Sequence, residues 1–129
     1  MEFKNNHKLV SICVCNFNMG FSIYKSLSSV CNQLNDDFEV LVIDDGSNDN
    51  SVEELTKLKK KYKNFNFYKY SRNSKRPLGM TRNISIEHAN GKYVVLHIDA
   101  DDLWENGIVE WCNKAIKISK KFNDEIFIS

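Results

Sequence analysis

The residues best suited to chemistry in this chain are three carboxylates that follow an apolar segment. Residues 93–98 run directly into Asp99-Ala100-Asp101-Asp102. Carboxylates this close raise one another's proton affinity unless a cation lies among them. Mg²⁺ and Mn²⁺ prefer oxygen ligands, and when one or two carboxylates hold them they commonly also bind substrate phosphates. The cluster therefore indicates a site for a metal and a phosphate, the alternative being a solvated acidic turn that caps the next helix.

Two other polar clusters follow apolar segments in the same way. Residues 9–15 end at Asn16-Phe17-Asn18, and residues 38–43 end at Asp44-Asp45-Gly46-Ser47. Nearly continuous apolar runs rich in β-branched residues are typical of strands buried in a parallel sheet. Because α/β sheets bind ligands at the carboxyl ends of their strands, the three clusters are predicted to meet at one rim and form a binding site.

The segments between these strands have helical periodicity. Ser51 and Glu54 have the spacing of a capping box, which predicts a helix that begins there. Residues 79–89 predict a short helix with Met80 and Ile84 toward the core, and residues 65–70 predict a more polar strand near a sheet edge. Further helical stripes are formed by Ile23, Leu27, Val30, Cys31 and Leu34 and, later in the chain, by Val109, Cys112, Ala115, Ile116, Ser119 and Phe122.

This alternation of strands and helices predicts an α/β fold, an open and mostly parallel sheet with helices on both faces and right-handed crossovers. The 129 residues fit a single domain, and residues 126–128 are expected to begin another strand. A strand near a sheet edge can pair with a second copy of the chain, so a homodimer is an expectation.

Composition narrows the function classes. The chain is 42% hydrophobic and 27% charged with a formal net charge of +1, which is typical of a globular protein. The region between Leu55 and Ile86 contains no acidic residue, but no nucleic-acid-binding signature accompanies its lysines, so no nucleic-acid partner is expected.

The four cysteines lack metal-ligand spacing and are interpreted as small hydrophobic residues in a reducing compartment. The polar start lacks the apolar core of a signal peptide, which predicts a cytoplasmic protein, peripheral to the inner face of a membrane.

Four ordered motifs now carry a family resemblance. In these motifs the chain resembles the amino-terminal, nucleotide-sugar-binding half of a family 2 glycosyltransferase with the GT-A fold. The motifs are the first strand with its Asn16-Phe17-Asn18 ending, Asp44-Asp45-Gly46-Ser47, the Arg82-Asn83 pair with its preceding Gly79-Met80-Thr81, and Asp99-Ala100-Asp101-Asp102. Phe17 replaces the usual Tyr. The resemblance covers nearly the whole chain and implies a Rossmann-like nucleotide-binding half.

The resemblance implies a role for each matching residue. Phe17 would lie against the face of uracil, and Asp45 would accept a hydrogen bond from the base. Arg82 suits the diphosphate or the base, and Asp99 would contact the ribose. The implied cofactor is Mn²⁺ or Mg²⁺, bridging the diphosphate of a UDP-sugar. The implied donor-binding residues are Asn16, Phe17, Asn18, Asp44, Asp45, Arg82, Asp99 and Ala100, and the implied metal ligands are Asp101 and Asp102.

The resemblance also implies what lies outside this half. The family uses a general base, usually an Asp, for inverting transfer to a glycan or lipid-linked acceptor, and no residue here matches that role, so the catalytic residue is expected beyond Ser129. The chain is accordingly expected to be a truncated donor-binding part. The alternatives are a nucleotidyltransferase of related fold, which would be expected to carry a Gly-rich loop after the first strand, a phosphate-accepting receiver domain, and a non-catalytic nucleotide-binding module.

Overall fold

The computed structural model describes residues 8–72, 75, 78–99, 110, 112–114 and 116–117. Strands and helices alternate along this part of the chain, as predicted. The elements are β1 (Lys8–Asn16), α1 (Ile23–Cys31), β2 (Phe38–Asp45), α2 (Ser51–Lys61), β3 (Phe65–Tyr70), α3 (Leu78–His88) and β4 (Gly91–Asp99). The strand predicted at residues 126–128 lies outside the described residues.

The described strands form one parallel sheet in the order β3-β2-β1-β4. The chain first proceeds outward from β1 to β3 and then returns to place β4 on the other side of β1, so the winding reverses between β1 and β4. In the pairing register, Asn16 lies opposite Asp44 and Cys15 lies opposite Asp99, so β1, β2 and β4 end at the same rim. The predicted open α/β sheet is confirmed, with β3 at its edge.

Helices cover both faces of the sheet. Side chains alternate along each strand, so each face of β1 and β2 carries apolar residues for helices to pack against. Val10, Ile12 and Val14 of β1 belong to the core formed with α1 and α2, and Cys112 and Ile116 join the same core. The opposite face of β1 carries Cys13, whose Sγ lies 3.9 Å from the carbonyl oxygen of Ser85 in α3. The two layers of helices therefore bury β1 and β2 from both sides.

Helix α3 buries two residues that were not predicted to face the core, and the predicted Ile84 is partly buried. Met80 is 54% exposed, whereas Thr81 and Ser85 are buried. These two residues are four apart and so share one face of the helix. Their small side chains allow α3 to lie close over Cys13, which explains why the bulkier Met80 turns outward. The prediction that Met80 faces the core was wrong.

The start of α2 also differs in detail. The helix begins at Ser51 as the spacing predicted, but its N-cap is Asn50, with no capping hydrogen bond from that side chain. The hydroxyl of Ser51 donates instead to Oδ1 of Asp49 at 2.5 Å. The capping box between Ser51 and Glu54 is therefore not formed, because Ser51 already lies within the first turn.

The cysteines form no disulfide, and each is at least partly buried, in line with their interpretation as small hydrophobic residues. All four are free thiols, with Cys13 and Cys112 buried and Cys15 and Cys31 partly buried. Burial raises the pKa of Cys13 and of Cys31 to about 12 and that of Cys112 to about 11, which disfavours the reactive thiolate. Among the described residues, no helix has the length and apolar character needed to cross a membrane.

Candidate functional site

A buried carboxylate joins the carboxyl ends of β1 and β2. Asp44 has no exposed surface, and its Oδ1 accepts hydrogen bonds from Nδ2 of Asn16 at 2.8 Å and from the hydroxyl of Ser47 at 2.6 Å. Its Oδ2 accepts from the backbone N–H of Ser47 at 3.0 Å. Three donors satisfy a carboxylate that would otherwise be costly to bury. Asp44 therefore fixes the relative position of the two strand ends.

The loops that follow these strands are fastened to each other by Asn18. Its backbone N–H donates to the hydroxyl of Ser47 at 2.9 Å, and its Oδ1 accepts from the backbone N–H of Asn48 at 2.9 Å. Asn18 has a φ of 54°, in the left-handed region that Asn tolerates better than most residues. Three predicted site residues, Asn16, Asn18 and Asp44, thus lie together and set the shape of the rim.

The most accessible part of the rim is a cluster of Phe17, Asp45 and Arg72, named here the Phe17 cluster. The ring of Phe17 is 40% exposed, and the Arg72 guanidinium carbon lies 4.0 Å from its centroid. Nη1 of Arg72 donates to Oδ2 of Asp45 at 2.7 Å. The Asp45 side chain is only 12% exposed, whereas that of Arg72 is 48% exposed. An aromatic face and a carboxylate acceptor thus lie side by side, with one cation touching both.

Gly46 explains how Arg72 reaches this position. Gly46 has a φ of +76°, and a Cβ placed on it would lie 2.3 Å from the backbone nitrogen of Arg72. The turn after β2 therefore requires a residue without a side chain, both for its conformation and for the close approach of the segment after β3. Sequence reasoning missed Arg72; the available signal was its basic character two residues beyond a strand that ends at the same rim.

Asp49 fastens the outer part of the rim. Its Oδ2 accepts from the backbone N–H of Gly20 at 2.9 Å, and its Oδ1 accepts from the backbone N–H of Ser51 at 2.9 Å. Slight desolvation opposes ionisation of Asp49, but the hydrogen bonds from Ser51 and Gly20 outweigh it and hold the pKa of Asp49 below its ordinary value. The loop after β1 is therefore linked to the start of α2 by an ionised side chain.

The remaining predicted residues are placed only in part. The backbone of Asp99 ends β4 beside Cys15, and the backbone of Arg82 lies in α3, but their side chains are outside the described part of the structure. Ala100, Asp101 and Asp102 lie outside the described residues altogether. Within the described part of the chain, no group of three or more His, Cys, Asp or Glu side chains is arranged to hold a metal. The individual site roles, including the metal ligands, stay predictions.

The fold and rim define a Rossmann-like α/β domain whose polar residues collect at the carboxyl ends of β1 and β2, next to the point between β1 and β4 where the strand order reverses. The family model described as glycosyl transferase family 2 matches residues 11–123. The chain belongs to glycosyl transferase family 2, which confirms the resemblance carried by the four motifs.

Curated relatives agree with this assignment. A poly(ribitol-phosphate) beta-glucosyltransferase of Bacillus spizizenii is 35% identical over 107 residues, which are 81% of this chain and 17% of that protein. The poly(ribitol-phosphate) beta-N-acetylglucosaminyltransferase TarP of Staphylococcus aureus is 33% identical over 105 residues, which are 80% of this chain and 31% of that protein. The chain thus spans less than a third of the length of either relative.

Solved structures show the same fold. The crystal structure of S. aureus TarS 1-349 in complex with UDP-GlcNAc matches with a TM-score of 0.75 and 28% identity, over 87% of this chain and 32% of that one. A mannosyltransferase of Pyrobaculum calidifontis, solved with GDP-Man and Mn²⁺, matches with a TM-score of 0.64 and 24% identity, over 78% of this chain and 29% of that one. The GT-A fold is therefore confirmed.

Proposed function

We propose that this chain binds a nucleoside diphosphate sugar, a UDP-sugar in particular, at the carboxyl-end rim of its sheet. It would serve as the donor-binding half of a glycosyltransferase in cell-surface polymer synthesis. The observation that carries the proposal is the Phe17 cluster, in which an exposed aromatic ring adjoins a carboxylate beside the point where the strand order reverses. The complexes of TarS with UDP and UDP-GlcNAc support the choice of donor.

The chemistry of the cluster fits a nucleoside base. The flat, apolar face of Phe17 suits stacking, and the carboxylate of Asp45 offers only acceptors, so it selects a base with an N–H donor at its edge. Uracil presents such a donor. Arg82 in α3 and Asp99 at the end of β4 are proposed to contact the diphosphate or base and the ribose, respectively. The base is thus held by shape and by one directed hydrogen bond.

We further propose that Asp101 and Asp102 hold Mn²⁺ or Mg²⁺. Their carboxylate oxygens are the ligands that such hard ions prefer, and the bound ion would neutralise charge on the departing nucleoside diphosphate. In this proposal the transfer is inverting, the acceptor is a glycan or a lipid-linked glycan, and the general base is not one of the rim residues named above. The protein is proposed to work in the cytoplasm at the inner face of a membrane, and a homodimer remains part of the proposal.

Titration calorimetry of the chain with UDP and GDP, with and without Mn²⁺, tests this function. We expect the unaltered chain to bind UDP only with Mn²⁺. Asp101→Ala should lose most of the affinity for UDP and its dependence on Mn²⁺. Asp45→Ala should bind UDP at least about tenfold more weakly, because a hydrogen bond to a charged group is removed. Asp36→Ala is the matched control, since Asp36 is a surface carboxylate, 77% exposed, that pairs with Lys63. Metal-independent binding of GDP in preference to UDP, or full affinity in Asp45→Ala, would contradict the proposal.

A further inference from the structure

The guanidinium of Arg72 engages both groups that the proposed function assigns to the base. Its central carbon lies over the ring of Phe17, 4.0 Å from the centroid, and its Nη1 donates to Oδ2 of Asp45 at 2.7 Å. A guanidinium resembles the edge of a nucleobase in these two respects, because it is planar and carries N–H donors in its plane. Arg72 therefore covers the face of the Phe17 ring and donates to the Asp45 carboxylate, as a bound base would.

The backbone of Arg72 is closely packed, but its side chain is held less firmly. The close approach to Gly46 fixes where the side chain begins, since a Cβ at Gly46 would lie 2.6 Å from the Arg72 Cα. The side chain is 48% exposed, and an ion pair with that exposure is screened by water and contributes at most about 1 kcal/mol. The guanidinium can thus leave the ring without disturbing the turns on which the site is built.

We propose that Arg72 is an intramolecular occupant of the base subsite, and that a nucleoside base competes with its guanidinium for the face of Phe17 and the carboxylate of Asp45. Donor binding then requires the side chain of Arg72 to swing away while its backbone stays against Gly46. This inference rests on the proposed function, because it takes the Phe17 cluster as the base subsite. It adds an internal competitor that sets the affinity for the donor and excludes weakly stacking ligands.

The consequence is that removal of the guanidinium strengthens base binding. A cation over an aromatic ring at a partly exposed position and a screened ion pair are each weak contacts. The free protein would lose both in Arg72→Ala, so the base would no longer have to displace them. We expect uridine to bind about fivefold more tightly to Arg72→Ala than to the unaltered chain. Arg72→Lys should give an intermediate affinity, because an ammonium group keeps the charge but lacks the planar fork.

Uridine is the preferred probe because it carries no phosphate, so the loss of a positive charge does not itself change its binding. Lys75→Ala is the matched control, because Lys75 is an exposed basic residue of the same segment and its removal alters the net charge equally. Uridine affinity should be the same in Lys75→Ala as in the unaltered chain. Thermal unfolding of each variant checks that the fold is retained.

A second measurement follows the side chain directly. The ¹H–¹⁵N signal of the Arg72 Nε group, identified by its absence in Arg72→Lys, should show a ring-current shift from Phe17 that uridine abolishes. Uridine binding to Arg72→Ala that is equal or weaker, with the ring-current shift retained in the complex, would overturn this inference alone. Weaker binding would make Arg72 a ligand of the base. Failure of the unaltered chain and of Arg72→Ala to bind uridine or UDP would overturn the proposed function as well.

Discussion

Two buried carboxylates of β2, Glu39 near its amino end and Asp45 at its carboxyl end, have different kinds of partners. At the amino end, Glu39 of β2 accepts hydrogen bonds from the hydroxyl of Ser11 and from the backbone and side-chain nitrogens of Asn90 at 2.6 and 3.1 Å. The Ser11 hydroxyl in turn accepts from the backbone N–H of Gly91 at 2.7 Å. These partners belong to the sheet or to the turn that enters it.

At the carboxyl end, Asp45 of the same strand is also buried, but it accepts a hydrogen bond from a side chain that is half in solvent. Arg72 lies beyond the end of β3, outside the sheet, whereas Ser11 lies within β1 and Asn90 directly precedes β4. Glu39 thus stabilises the fold, as Asp44 does at the carboxyl end, whereas Asp45 is the carboxylate that the proposed function assigns to a ligand.

The largest effect expected from this comparison is on stability, in Glu39→Ala. The change leaves the buried Ser11 hydroxyl and the two partly buried nitrogens of Asn90 without their acceptor. We expect the free energy of unfolding to fall by about 3 kcal/mol. Urea unfolding measures it, with Asp36→Ala as a surface control that should change stability by less than about 1 kcal/mol. A loss in Glu39→Ala no larger than that in the control would remove the distinction between the two carboxylates.

Asp45→Ala should have a small effect on stability and a large effect on ligand binding. Loss of the ion pair with Arg72 should lower the free energy of unfolding by only about 1 kcal/mol or less, because water screens the pair on the side of Arg72. The same substitution is expected to weaken UDP binding strongly under the proposed function. Urea unfolding and calorimetry on the same preparation give both values. Destabilisation as large as that in Glu39→Ala would mean that Asp45 is a structural residue.

The alternation of apolar segments and polar ends was sufficient to predict the strands and the common rim at which the clusters that begin with Asn16 and Asp44 lie. These features follow from the periods of strands and helices and from the rule that parallel strands end at the same edge. The outward turn of Met80 was not predictable, because it depends on how closely α3 approaches Cys13. The two roles of adjacent carboxylates were also hidden, since Asp44 and Asp45 differ in their partners and not in their residue type.

Arg72 shows most clearly what a linear pattern does not contain. Its contacts with Phe17 and Asp45 depend on the left-handed turn at Gly46, which lets the segment after β3 approach the end of β2. Gly46 is recognisable in the sequence as a turn residue, but the segment that packs against it is 26 positions away. Only the folded chain brings the two together.

The smallest expected effect tests whether burial or the number of hydrogen bonds determines how much stability a carboxylate contributes. Asp49 accepts from Gly20 and twice from Ser51, as many donors as Glu39 has, yet it is exposed. Asp49→Asn should therefore lower the free energy of unfolding by less than about 1 kcal/mol, because water can replace the lost bonds.

Its pH dependence identifies the cause of this small effect. The hydrogen bonds from Ser51 and Gly20 hold the pKa of Asp49 in the folded chain below its ordinary value of 3.8, so the carboxylate contributes stability above that pH. The contribution falls as the pH decreases from 3.8 through the lower pKa of the folded state. The stability difference between the unaltered chain and Asp49→Asn should thus be complete at neutral pH and disappear in acid, as followed by urea unfolding across that range. A difference that is independent of pH would show that Asp49 acts through its shape and not through its charge.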